Sequence, residues 1–129
     1  QRGNEYILLN KAIAYGVSHI HFEHTSTVGS KITNDNKKSN TSNIVPAITL
    51  SEILNQNAIK DSYTLITDIE GAEAEIFFKD KIALKTCEKI IAELEDTSTH
   101  TVNEQISELN KLGFKIFESY GNVVVMTKY

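Results

Sequence analysis

The segment that most limits the fold is Leu65-Ile66-Thr67-Asp68-Ile69-Glu70-Gly71-Ala72-Glu73. Tyr63 to Ile69 reads as a buried strand, and from Glu70 to Phe78 the pattern turns helical. In open sheets with parallel strands, ligands bind at the carboxyl ends of the strands, so a site is expected where this strand meets its helix. Asp68 and Glu70 are two apart and are expected to share a strand face, with Glu73 on the first helical turn. Gly71 permits a backbone path, or a close ligand approach, that a side chain would obstruct. A plainer reading needs no ligand: acidic residues suit a helix N-terminus, and glycine is common in strand–helix turns.

The rest of the chain alternates in the same manner. Glu5 to Tyr15 predicts a helix, with Ile7, Leu8, Ala12 and Tyr15 on one side and Gly16 as its stop. Val17 to Glu23 predicts a strand. Residues 33–43 contain no apolar side chain and predict a polar surface loop. Ile44 to Ile48 is a short extended piece around Pro46, and Thr49-Leu50-Ser51-Glu52 is a capping box opening a helix to about Gln56. Lys89 to Leu94 predicts a strand. A second capping box, Thr101-Val102-Asn103-Glu104, opens a helix with the stripe Val102, Ile106, Leu109 and Leu112, ended by Gly113. Phe114 to Glu118 and Val123 to Thr127 predict a closing hairpin. This order predicts one α/β domain over residues 1–129, its sheet mostly parallel apart from the C-terminal antiparallel hairpin.

Composition narrows the partners. Thirteen Lys and Arg against seventeen Asp and Glu leave a formal net charge of -4, which gives no basic face for nucleic acid. No apolar run approaches the roughly 20 residues of a membrane span, and Gln1-Arg2-Gly3-Asn4 leading into an amphipathic stretch gives no expectation of a signal peptide. Cys87 is the single cysteine. It lies among apolar residues with no basic pair beside it, which predicts a buried filler rather than a nucleophile. A cytoplasmic location is expected.

The Asp68–Glu73 stretch resembles the signature of FkbM-type methyltransferases: a lysine, an apolar residue, Asp, an apolar residue, then Glu-Gly-Ala-Glu. Here Thr67 precedes Asp68, and Ile66 stands where a lysine is common. Pro46 to Leu54 resembles the family's apolar-Thr-Leu-Asp-Glu-apolar-Leu stretch. Ile90-Ile91-Ala92-Glu93 resembles its following strand, and Leu112-Gly113-Phe114 its late Leu-Gly-Tyr. The four pieces fit in order from about Val45 to Phe114. The resemblance implies a Rossmann-like class I fold and methyl transfer from S-adenosylmethionine, often to a sugar or other small-molecule hydroxyl. It places Asp68 and Glu70 in the reaction pocket, Asp68 to orient or deprotonate the acceptor and Glu70 to position it. Asp68 and Gly71 are expected near the cofactor, and Glu73 and Glu93 near the substrate.

No two of the six glycines are separated by one or three residues, so no glycine-rich phosphate or cofactor turn is present. Strands one and two of such a sheet have no counterpart, and the chain is expected to be the C-terminal portion of the domain. The strand from Tyr63 would then have an open apolar edge, to be covered by a preceding segment, by another copy in a homo-oligomer, or removed by rearrangement into a smaller sheet.

Other constellations are weaker. His19, His21 and Glu23 alternate on one strand face, with His24 just beyond, in a pattern that zinc would accept. Ile20 and Phe22 on the opposite face make a half-exposed edge strand the simpler reading. Asp68, Glu70 and Glu73 offer oxygen ligands of the kind magnesium or calcium prefers, without supporting Asn or Asp spacing, so no metal is expected. The alternative function is a non-catalytic binding or scaffold domain that keeps the fold without the cofactor half.

Overall fold

A computed structural model describes residues 5–24, 30–33 and 42–128, which fall into two compact units, residues 1–48 and 49–129. The first unit carries a four-stranded sheet of β1 (Ala12–Ile13), β2 (His19–His24), β3 (Ser30–Thr33) and β4 (Ser42–Ile48), in the order β1-β4-β2-β3. β1 pairs in parallel with β4, while β2 runs antiparallel to both β4 and β3. Ile20 and Ile48 are buried there.

The helix expected over Glu5 to Tyr15 is not formed. The only regular element of that segment is β1, continued by the amide of Ala14 donating to the carbonyl of Ile48 at 3.2 Å. The reason lies in packing. Tyr6, Ile7 and Leu8 are 87, 69 and 79% exposed, so a helical stripe there would bury nothing, and short helices are marginal in water without such burial. Most of the expected loop at residues 33–43 lies outside the described residues.

The second unit holds α1 (Leu50–Gln56), β5 (Tyr63–Thr67), α2 (Glu73–Lys79), α3 (Lys81–Leu84), β6 (Cys87–Glu93), α4 (Val102–Lys111), β7 (Lys115–Tyr120) and β8 (Val123–Thr127). Its sheet runs β5-β6-β8-β7, with β5 and β7 at the edges. β5 and β6 are parallel, joined by a crossover long enough for α2 and α3, and the hairpin adds antiparallel ladders β6–β8 and β7–β8. The expectation of a mostly parallel sheet is therefore corrected. Each unit contains one parallel pair, and the remaining ladders are antiparallel.

Local chemistry explains the helices. In both capping boxes the Thr hydroxyl accepts from the amide three residues on, and the Glu carboxylate accepts from the Thr amide: Thr49 with Glu52, and Thr101 with Glu104. α4 ends in a Schellman motif, in which the amide of Phe114 donates to Leu109 and that of Gly113 to Asn110, both at 3.0 Å, with Gly113 at φ +98°. Phe114 and Leu109, both fully buried, join Phe77, Ile76, Leu84, Ile90 and Met126 in one core beneath the sheet. Lys128 donates to the carbonyls of Leu84 and Lys85 at 2.7 and 2.8 Å and lies 4.9 Å over the Phe114 ring, satisfying the end of α3. Among the described residues no helix is long and apolar enough to cross a membrane.

Candidate active site

The carboxyl ends of the parallel strands β5 and β6 come together at the connections that follow them. Alternation sets what each strand presents. Ile90 and Ala92 of β6 face the core, while Ile91 and Glu93 face the opposite side, where Ile66 of β5 is the Cα partner of Ile91 and Val123 of β8 that of Glu93. On that side lies an open depression of about 250 Å³, lined by Ile66, Thr67, Asp68, Ile91, Glu93 and Val123. Its floor is apolar and two carboxylates stand on its rim.

The expected residues divide into two groups. Asp68 and Glu93 both line this depression. The nearby Asp68 carboxylate is the main cause that raises the Glu93 pKa. Glu70 and Glu95 add smaller contributions in the same direction. None of the ion pairs among the described residues involves Asp68, Glu70, Glu93 or Glu95. The site is acidic.

Asp68 and Glu70 do not share a strand face as expected, because β5 ends at Thr67. Both side chains are exposed on the connection, where Glu70 has φ +54° and Gly71 φ +93°. The amide of Ala72 donates to the carbonyl of Ile69 at 3.2 Å and closes this turn, whose two central residues are both left-handed.

Gly71 does permit a close approach, but the neighbour is the chain itself. A β-carbon there would meet Glu95 Oε1 and Thr97 Cγ2. Glu73 points inward. It is buried, and its carboxylate accepts from the Ile69 amide, the Thr67 hydroxyl and the Gly71 amide. Neither Gly71 nor Glu73 is among the residues that line the depression.

The connection from β6 to α4 is tied down from several sides. Gln105, buried on α4, donates to the carbonyl of Glu95 at 2.9 Å, and Asp96 accepts from the amide of Val102 at 2.8 Å. The Thr97 hydroxyl accepts from the His100 amide at 2.9 Å, and the His100 ring stacks on Phe78 with centroids 3.7 Å apart. Sequence reasoning missed Glu95 and Thr97 as neighbours of the turn. The signal for Glu95 was the acidic Glu93-Leu94-Glu95-Asp96 run at the end of a strand.

In the first unit the rings of His19 and His21 lie 5.7 Å apart, edge to face. No set of three or more His, Cys, Asp or Glu side chains converges as a metal site among the described residues. Cys87 is fully buried, its thiol donating to the carbonyl of Lys89, and burial pushes its pKa up. It is a filler, as expected.

Residues 5–116 match the family described as the Methyltransferase FkbM domain. The chain belongs to that family. The match covers both the turn that carries Asp68 and Glu70 and the strand that carries Glu93, so these residues stand inside a methyltransferase domain. No curated protein and no solved structure matches the chain.

Proposed function

We propose that this FkbM-family chain takes part in S-adenosylmethionine-dependent methyl transfer to a hydroxyl of a small molecule or sugar. The observation that carries the reading is that Asp68 and Glu93 line one depression with apolar Ile66, Ile91 and Val123 at the carboxyl ends of β5 and β6. That is where open α/β sheets hold ligands. The chemistry of the rim fits the reactive end of such a donor, because a sulfonium cation is favoured beside carboxylates that no Lys or Arg neutralises. When bound, the donor supplies an electrophilic methyl group.

The chain's own residues have the remaining tasks. Asp68 orients the acceptor hydroxyl and takes its proton as the oxygen attacks, and Glu93 accepts a second hydroxyl of the acceptor. Ile66, Ile91 and Val123 exclude water from one side. Orientation and desolvation supply much of the acceleration in an in-line displacement, so a strongly basic group is unnecessary.

The test is thermal unfolding with S-adenosylhomocysteine. A ligand at a hundred times its dissociation constant stabilises by about 2.7 kcal/mol, a rise of several degrees in Tm. A saturable rise supports the reading. No rise at millimolar ligand would favour a non-catalytic binding domain.

A further inference from the structure

Glu73 is the buried carboxylate of the turn, whereas Asp68 and Glu70 are exposed. Its Oε2 accepts from the Ile69 amide at 2.7 Å and from the Thr67 hydroxyl at 3.1 Å, and its Oε1 accepts from the Gly71 amide at 3.0 Å. The anchored residues, 67, 69 and 71, alternate with the presented ones, 68 and 70. One side chain therefore holds the Thr67 side chain and the backbone of Ile69 and Gly71, the residues that flank each exposed carboxylate.

The turn needs such a hold. Glu70 is left-handed at φ +54°, a conformation that a residue with a side chain keeps only where its surroundings impose it. A carboxylate suits the task because both of its oxygens accept from the turn. Its place as the first residue of α2 adds the favourable field of the helix end. From the other side the turn is met by Glu95 and Thr97, whose own connection is fixed by Gln105.

We infer that Glu73 is a positioning residue, whose carboxylate sets the turn so that Asp68 stands against Glu93 at the rim of the depression. Its consequence for turnover rests on the methyltransferase reading; its consequence for geometry does not.

Glu73→Gln in the full chain tests this. Whichever way the amide sits, its NH₂ faces one backbone donor, either Gly71 or Ile69, so one of the anchoring bonds is lost. The groups facing Glu93 are Asp68 first, then Glu70 and Glu95. With the turn released, the Glu93 carboxyl, followed by carbon NMR, should titrate closer to the ordinary carboxylate range than in the unmodified protein. Amide exchange at Ile69 and Gly71 should quicken by about tenfold or more, while Ile90 in the core of β6 stays protected. A folded Glu73→Gln protein with the same Glu93 titration and the same exchange at both amides would overturn the inference.

Should Glu73→Gln fail to fold, Thr67→Val removes a single donor. The same two changes are then expected in smaller degree, and their absence overturns the inference equally. Under the enzymatic reading, kcat for methyl transfer falls more than the KM of the donor rises. An unmodified protein without methyl transfer would remove that reading while the titration still decides the positioning role.

Discussion

Gly71 lies so close to Glu95 that a β-carbon on it would stand 3.0 Å from Oε1, with Thr97 Cγ2 at 3.3 Å. The two connections that carry the acidic rim are in contact there. Gly71→Ala should therefore meet two penalties, the left-handed backbone at φ +93° and the displacement of the Glu95 side chain. Gly113 separates them: it has φ +98° with no atom within 4 Å of the added carbon. Urea denaturation should show Gly113→Ala costing about 1 kcal/mol and Gly71→Ala about 2 kcal/mol. Equal losses would mean that the contact between the connections contributes nothing.

Asp80 ties α1 to the start of α3. Buried at the junction, it accepts from the Ser51 amide at 2.9 Å and also from the Ser51 hydroxyl. Asp80→Ala leaves the amide of Ser51 without its carboxylate and should lower stability by about 1–3 kcal/mol. Ser51→Ala keeps the amide bond and should cost less than Asp80→Ala in the same denaturation experiment. A larger loss from Ser51→Ala would contradict the assignment.

Two carboxylates give stability opposite pH dependences. Glu108 is held below the usual carboxylate range, first by its hydrogen bond from Lys81 at 2.5 Å and then by the charges of Lys81 and Lys111. Its contribution is present above the unfolded carboxylate pKa of about 4.3 and is lost as pH falls through the lower folded value. Glu93 is raised, chiefly by Asp68, so its contribution is present below the unfolded value and is lost as pH rises through the folded one. Stability measured from acid to neutral pH should therefore fall less steeply at the acid end in Lys81→Met. Asp68→Asn should remove the loss above the ordinary range. Unchanged profiles would exclude both couplings.

Legibility in the sequence followed the range of the forces involved. The capping boxes at Thr49 and Thr101 and the stop at Gly113 were readable because they are contacts between residues three or four apart. The strand ends that present Asp68 and Glu93 were readable from alternation and the acidic residues that follow. Strand direction was not, because it depends on partners far along the chain. Which strand of the hairpin pairs with β6 is decided by tertiary packing, and it is β8. The same holds for residues 5–15, whose helical spacing had no surface to pack against.

Within the site, a glutamate at the first position of a helix looks the same in sequence whether it faces outward or, as Glu73 does, closes over its own turn. Nothing in the sequence marks Glu70 as left-handed, since glutamate seldom adopts that conformation.

The rim residues should separate by role in a methyl-transfer assay. Asp68 lines the depression with Glu93 and is the main charge acting on it, whereas Glu70 is exposed on the turn and acts on Glu93 only as a smaller charge. A general base contributes roughly 10²–10⁴-fold, and the lower end applies where orientation does most of the work. Asp68→Asn keeps the shape and a hydrogen-bonding group, yet it cannot take the acceptor proton, so kcat should fall by about a hundredfold. Glu70→Gln keeps the turn and removes one charge, and a loss of about tenfold or less is expected, about 1.4 kcal/mol in the barrier at most. Both variants should retain the circular dichroism of the parent protein, because neither side chain is buried. Turnover unchanged in Asp68→Asn would remove the Asp68–Glu93 pair from the chemistry and leave the depression as a binding surface alone.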